Sequence, residues 1–207
     1  MSPRAYCSPR RREDAARTRA RIVKAAAATL AAGGTMSLDA VAKRARVTRL
    51  TVYNQFGSRR ALLEAVFDDL ATRGGLHRIS GVMASSDAYQ ALRQIVAIFC
   101  DFWSGTPGAL VRLQGAAAGD AEFAASLRAR NERRRKLLTV LVDRMGEGSP
   151  RRPGTVVEVV DTLFALTSFA FFSELTANGR SASAACRLIQ GLAMDVVGRA
   201  LPVERRD

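Results

Sequence analysis

Apolar residues recur at helical spacing along nearly the whole chain from Arg17 onward. The first such stripe consists of Ile22, Val23, Ala26, Ala27 and Leu30. Residues three and four apart share one face of an α-helix, so this spacing predicts an amphipathic helix with one buried side. The pair Gly33-Gly34 follows directly and is expected to end the helix, because glycine disfavours its continuation.

Small hydroxyl side chains predict where the next three helices begin. Ser37, Thr48 and Ser58 each precede an apolar run, and such a side chain can accept a hydrogen bond from a free backbone N–H in the first helical turn. The helices predicted from these caps span about 38–45, 50–56 and 59–73.

The remaining two thirds of the chain continue the helical pattern after Gly74 to Ser86, a stretch in which the pattern is weak. Thr106-Pro107 is typical of an N-cap followed by proline in the first turn, and Asp120 can cap the next helix. No segment alternates apolar and polar residues as a half-buried strand would. The sequence therefore predicts an all-α fold of about nine helices, the later ones spanning about 87–104, a short helix from 107, 120–145, 155–177 and 183–201.

The positive charge is concentrated at the N-terminal end. Residues 1–62 hold 14 Lys and Arg against 3 Asp and Glu, whereas residues 63–207 hold 18 against 16. The first segment thus carries +11 of the total formal charge of +13. This asymmetry is typical of a module that faces DNA phosphates, although a solvated basic surface would give the same count.

Charge and pattern together suggest three segments. Residues 1–16, with two prolines and the run Arg10-Arg11-Arg12, are interpreted as a disordered basic arm. A DNA-binding domain is predicted over residues 17–62, and a larger C-terminal helical domain over residues 63–207.

Several classes of protein are disfavoured. Cys7, Cys100 and Cys186 are isolated and lack metal-ligand spacing, which favours a reducing cytoplasmic location with no metal site. The most apolar region, residues 155–176, is interrupted by three acidic residues, so a membrane span is not expected. The chain has one histidine and no phosphate-binding loop, and therefore neither an enzyme nor a cofactor is predicted.

Residues Leu38–Gly57 have the spacing of a helix-turn-helix. The residues expected to face inward, across the two helices and their turn, are Val41, Ala42, Ala45, Val47, Val52 and Phe56. This arrangement leaves Arg49, Thr51, Tyr53 and Asn54 on the outside of the second helix, which is the helix that enters the major groove in such motifs.

The string from Val47 to Leu63, VTRLTVYNQFGSRRALL, resembles the DNA-binding core of TetR/AcrR-type transcriptional regulators. The resemblance extends over roughly residues 17–67, and beyond them only the helical layout agrees. Arg46 departs from the pattern, because the family commonly has glycine at this turn. A left-handed backbone there would strain an arginine.

The resemblance implies a role for each position of the motif. Thr48 and Arg59 correspond to phosphate-contacting residues, with Arg60 a weaker candidate, while Arg49 and Thr51 lie where family members touch base edges. Tyr53 and Asn54 resemble a pair that contacts the groove and backbone. Two alternatives stay open: Tyr53 as a packing residue and Arg60 as a solvated one.

The same resemblance implies that the C-terminal helices enclose a ligand pocket and that the last two form a homodimer interface. The segment Thr155–Ala177 is apolar around more than one side, as expected of a helix buried between two partners. On the final helix the predicted interface residues are Leu188, Leu192 and Val196. A monomer that buries both helices is the alternative.

Arg134 falls within an apolar stripe, where an unpaired charge is costly. It must therefore meet a carboxylate, reach solvent or face a polar cavity. Aromatic residues with a few polar groups are typical of a small-molecule pocket. The candidate pocket residues are Phe99, Phe102, Trp103, Arg112, Asn131 and Arg134.

The function predicted from the sequence is a repressor that binds double-stranded operator DNA at an inverted repeat and is released by a small-molecule inducer. An architectural DNA-binding dimer without a regulatory ligand is the alternative.

Overall fold

A computed structural model describes residues 9–34, 36–147 and 154–201. These residues form eleven α-helices and a single 3-10 turn at Leu76–Arg78, and they contain no strand, so the all-α class is confirmed. The helices are α1 Pro9–Ala31, α2 Leu38–Ala45, α3 Arg49–Phe56, α4 Arg59–Arg73, α5 Ile79–Met83, α6 Ala88–Gly105, α7 Pro107–Ala118, α8 Ala121–Met145, α9 Thr155–Leu166, α10 Phe169–Ala177 and α11 Ala182–Ala200.

The count exceeds the predicted nine for two reasons. The stretch from Gly74 to Ser86, where the sequence predicted no helix, contains the 3-10 turn and the short helix α5. The single helix expected over 155–177 is divided into α9 and α10 at Thr167 and Ser168. Ser168 caps α10, its Oγ accepting a hydrogen bond from the Phe171 N–H at 3.1 Å.

Helix α1 begins earlier than the sequence pattern indicated. Residues 9–16, interpreted as part of a disordered arm, are helical, and residues 1–8 lie outside the described residues. Proline is well suited to the first helical turn, because it lacks an N–H that would have no partner there. The ion pair of Asp14 with Arg17, at 2.5 Å and three residues apart, also favours the helix. Local helix-favouring contacts thus outweigh the basic, polar composition of residues 9–16.

The described residues divide into two compact units. The first comprises the described residues up to Asp69 together with Gly108–Phe123, and the second comprises Leu70–Pro107 and the described residues from Ala124 onward. The first unit extends beyond the boundary predicted after residue 62. In its core, α1 packs on α2 and α2 packs on α3. The side chains at its centre include Ile22, Ala26, Val41, Val52, Leu62 and Leu63, which are fully buried.

In the second unit α11 is the central element, because it packs against both α6 and α9. Its buried face consists of Ala185, Ile189, Ala193 and Val197, spaced four residues apart. Two of these are alanines, which allow close approach of a neighbouring helix. Helix α6 contributes a longer apolar face, from Ala88 to Trp103.

No described helix is by itself long and apolar enough to cross a membrane. Helices α9 and α10 reach that length and hydropathy only when taken together, and a bend of 48° separates them.

Candidate nucleic-acid interface

The helix-turn-helix forms where the sequence predicted it, and both of its helices have the expected N-caps. Ser37 Oγ accepts from the Ala40 N–H at 3.1 Å, and Thr48 Oγ1 accepts from the Thr51 N–H at 3.1 Å. Each bond satisfies one of the backbone donors that a helix start leaves free. Thr48 therefore fixes the starting point of helix α3.

Arg46 adopts the left-handed conformation at the turn, with φ 53° and ψ 49°. It is the sole described non-glycine residue with positive φ. Its N–H and that of Val47 bond back to the carbonyls of Lys43 and Ala42, at 3.2 and 3.0 Å, which closes the end of α2. The turn thus has the backbone geometry of a glycine turn, and Arg46 adopts a conformation that is strained for a residue with a side chain.

Helix α3 has one buried side and one exposed side. Val52 and Phe56 are buried, whereas Arg49, Tyr53 and Asn54 are exposed, Tyr53 by 56%. Thr51 is half-buried, and its Oγ1 lies 2.8 Å from Thr48 Oγ1. These positions agree with the inward and outward sides that the spacing indicated.

Leu50 is 65% exposed on the first turn of the same helix, beside Arg49. The helical pattern in the sequence did not indicate a role for Leu50. A large aliphatic side chain that is exposed on a recognition helix can contact thymine methyl groups. The signal in the sequence was its place between two polar residues, Arg49 and Thr51, at the start of the helix.

The charged residues of the motif have defined partners. Arg49 lies 3.2 Å from Asp39 of α2, and both side chains are largely exposed. Such an exposed pair contributes little to stability and exchanges readily for another anion. Arg59 donates from Nε to the Met36 carbonyl at 3.0 Å, and Arg60 pairs with Glu122. Arg60 is therefore engaged within its own unit instead of being only solvated.

Arg19 of α1 fixes the far end of α3, a role that the sequence did not reveal. Its Nη1 donates to the Gln55 carbonyl at 2.7 Å, and its guanidinium carbon lies 4.2 Å from the centre of the Phe56 ring. A cation at a helix C-terminus satisfies a free carbonyl and opposes the helix dipole. Both ends of the recognition helix are thus held.

In the second unit, four of the six candidate pocket residues come together as a packed cluster. The Trp103 ring lies 4.5 Å from that of Phe102 and 6.1 Å from that of Phe99, between ring centres. Arg134 is 8% exposed, and its guanidinium carbon lies 5.8 Å from the Phe99 ring centre and 4.2 Å from that of Phe164.

Arg134 has no carboxylate partner among the described residues. Its Nη1 donates to the Thr167 carbonyl at 2.6 Å, the same oxygen that accepts from Trp103 Nε1 at 3.1 Å. Its Nε is the one buried side-chain nitrogen or oxygen without a hydrogen-bond partner in the described part of the chain. Burial lowers the pKa of Arg134 to about 10, and neighbouring Arg135 adds to this, so the side chain stays charged at neutral pH.

The other two candidates are not in this cluster. Asn131 is exposed on α8, and Arg112 is an exposed residue of the first unit. Sequence spacing placed them on the right helices but could not decide on which side each would lie. The single histidine, His77, is exposed in the 3-10 turn.

Residues 22–66 match the model for the family described as bacterial regulatory proteins, tetR family. Residues 22–66 are a TetR-family DNA-binding domain. The match covers α2 and α3 entirely, together with the C-terminal part of α1 from residue 22 onward and the first half of α4. It confirms the resemblance that the string from Val47 to Leu63 indicated.

The TetR-type fold extends over the rest of the chain. A TetR transcription regulator from Haloarcula marismortui superposes with a TM-score of 0.72 and 16% identity, over 90% of this chain and 99% of the other. The regulator LfrR from Mycobacterium smegmatis, solved with proflavine, gives 0.55 and 24%, over 87% and 96%. The ketosteroid regulator KstR2 of Mycobacterium tuberculosis gives 0.59 and 15%, over 89% and 95%. A search of curated proteins finds no match.

The three residues predicted for the dimer interface lie together on α11. Leu188, Leu192 and Val196 are each half-buried, four residues apart, on a flank next to the buried face of the helix. They form an apolar strip that the described residues of the second unit cover only in part. Their role in assembly stays a prediction.

Proposed function

We propose that this chain is a transcriptional repressor that binds operator DNA as a homodimer and is released when a small molecule occupies its second unit. The observation that carries the DNA-binding part is the outer face of α3. There Arg49, Leu50, Tyr53 and Asn54 are exposed on a helix whose two ends are fixed by Thr48 and Arg19. A rigid, exposed helix of this kind is suited to the major groove.

The charge distribution supports the same proposal. The excess of basic residues in the first 62 positions attracts phosphates without reading sequence, while the side chains of α3 provide base contacts. Thr48 lies at the start of α3, where its hydroxyl and the free backbone N–H groups can meet a phosphate oxygen. Arg59 and Arg60 follow at the start of α4, the former being the stronger candidate for a second phosphate contact.

Footprinting of the purified protein on genomic DNA tests the proposal. We expect protection of an inverted repeat, with half-sites about one or more helical turns apart, because a dimer presents two recognition helices. Protection without sequence preference would support the alternative, an architectural DNA-binding dimer.

Substitution of single arginines separates base reading from phosphate binding. Arg49→Ala should weaken operator binding by about 1–3 kcal/mol and relax the preference at one base pair. Arg59→Ala should weaken binding to all sequences alike and reduce the salt slope by about 1. Arg128→Ala removes an equal charge from an exposed position of α8 and serves as the control. Operator affinity unchanged in both motif variants would refute the assigned contacts.

The ligand-responsive part rests on Arg134. Burying a cation without a carboxylate partner costs folding free energy. An anionic or carbonyl-bearing ligand that binds Arg134 would offset this cost. The aromatic rings around it favour a ligand with an apolar body. Bound proflavine in LfrR and the ketosteroid-related role of KstR2 support a small-molecule function for this fold.

An aromatic carboxylate probes this idea directly. Naphthoate should raise the melting temperature of the parent protein and lower its operator affinity, whereas uncharged naphthalenemethanol should do less. Tenfold release from DNA requires a preference of about 1.4 kcal/mol for the non-binding conformation. Arg134→Met should bind operator normally and lose the response to naphthoate. An equal response in parent and variant would exclude Arg134 from the ligand site.

A further inference from the structure

Two thiols meet where α6 packs against α11. Cys100 of α6 is 4% exposed and Cys186 of α11 is half-buried, and an interaction between their side chains shifts the pKa of both thiols. Both are free thiols. The third cysteine, Cys7, lies outside the described residues. The contact joins positions 86 residues apart in sequence, so only the tertiary structure brings them together.

A second contact fixes the register of the two helices. Gln190 Nε2 of α11 donates to the Arg93 carbonyl of α6 at 2.9 Å. Gln190 follows Cys186 in the chain, whereas Arg93 precedes Cys100, so the helices run antiparallel here. The neighbouring α11 residues Ala185 and Ile189 are buried. The two thiols thus face each other across a packed pair of antiparallel helices.

The two sulfurs differ in exposure and in acidity. The hydrogen bond from Cys100 lowers the pKa of Cys186, because it stabilises the thiolate. The same bond and burial raise the pKa of Cys100. Arg187 also favours the thiolate at Cys186, while Asp101 opposes ionisation of both. The accessible sulfur is therefore the better nucleophile, and the buried one retains its proton.

We propose that Cys100 and Cys186 form a reversible disulfide when the protein meets a hydroperoxide. The Cys186 thiolate attacks one peroxide oxygen, the O–O bond breaks, and the sulfenic acid forms with release of water after protonation of the leaving hydroxide. The Cys100 sulfur then attacks the sulfenic sulfur, and its proton leaves with the hydroxyl group as a second water. The two thiols lose two electrons, which reduce one hydrogen peroxide to two waters.

The disulfide would link oxidation of the thiols to helix packing in the core of the second unit. Cys100 lies between Phe99 and Phe102 on α6, so the bond would tie the helix of the aromatic cluster to α11. In a reducing compartment such a bond is transient and suited to sensing. The inference is independent of the proposed repressor function, because its test detects sulfur chemistry alone.

The test uses the full-length chain with Cys7→Ser. The protein is treated with hydrogen peroxide, denatured, alkylated with N-ethylmaleimide and measured by intact mass and peptide mapping. We expect a product two hydrogens lighter with no alkylated thiol, a linked peptide containing Cys100 and Cys186, monomeric mobility on a non-reducing gel, and full reversal by dithiothreitol. Two alkylated thiols after peroxide treatment, or a link between two chains, would overturn the proposal.

Single-cysteine variants test the order of the steps. In Cys100→Ser the sulfenic acid has no resolving thiol, and dimedone should label Cys186. In Cys186→Ser the buried Cys100 should resist both peroxide and dimedone. Equal labelling of the two variants would refute the assigned order. Circular dichroism checks that each variant folds; should Cys100→Ser unfold, Cys100→Ala replaces it.

Discussion

Arg46 occupies a backbone conformation that residues with side chains adopt rarely. The left-handed region costs an L-residue about 1–2 kcal/mol, because Cβ approaches the following carbonyl oxygen. The conformation is nevertheless required here, since the Arg46 and Val47 N–H groups must turn back to close α2. The strain is local, and the rest of the turn is well bonded.

Arg46→Gly should therefore stabilise the protein. Relief of the strain is partly offset by the greater flexibility of glycine in the unfolded chain, about 0.5–1 kcal/mol, so we expect a gain of roughly 1 kcal/mol. Urea denaturation followed by circular dichroism measures it.

Gly57 provides the matched control. It ends α3 with φ 71°, and a Cβ there would meet no atom within 4 Å, so only the backbone opposes substitution. Gly57→Ala should lower the free energy of unfolding by about 1 kcal/mol. If both variants shift stability in the same direction, backbone strain is not what distinguishes the two turns.

At the scale of elements, the break between α9 and α10 is explained by hydrogen bonding. The Thr167 carbonyl lies at the break, where a helix leaves carbonyls without N–H partners. Trp103 and Arg134 both donate to it, and Ser168 caps the helix that follows. The bend thus depends on side chains from α6 and α8 as well as on the local sequence.

This arrangement predicts non-additive substitutions. Arg134→Met alone should change the free energy of unfolding by no more than about 1 kcal/mol, because Met fills most of the space of the arginine side chain and Trp103 still donates to the Thr167 carbonyl. Trp103→Phe alone should cost more through lost packing. The double variant leaves the buried carbonyl without either donor and should lose a further 1–3 kcal/mol, roughly, beyond the sum. A double-mutant cycle in urea measures the coupling, and additive losses would contradict the shared acceptor.

At the scale of the whole molecule, assembly depends on the half-buried strip of α11. Leu192→Glu should convert the protein to a monomer in sedimentation experiments, because a carboxylate would be buried against the partner at a cost of several kcal/mol. Operator affinity should fall with it, since one half-site then binds alone.

Ser183→Glu supplies the comparison for this variant. Ser183 is exposed on the same helix, nine residues before Leu192, and nine residues are two and a half helical turns. The added charge is equal, but it lies on the opposite side of α11. A Leu192→Glu protein that remains dimeric would place the interface elsewhere.

The helical class, the caps of α2 and α3 and the two faces of α3 were all predictable from the amino-acid sequence. These depend on contacts within a few residues: the apolar period, the hydroxyl at each helix start, and the burial of Val52 and Phe56. It also indicated where the basic charge lies, because charge is additive along the chain.

Which distant groups meet became evident from the folded molecule alone. The bond of Arg19 to the end of α3, the shared carbonyl of Thr167 and the contact of Cys100 with Cys186 join residues 33 or more positions apart. No periodicity encodes such pairs, because helix packing sets them. The same holds for Asn131, whose helix was foreseen but whose exposed side was fixed by the neighbours of α8.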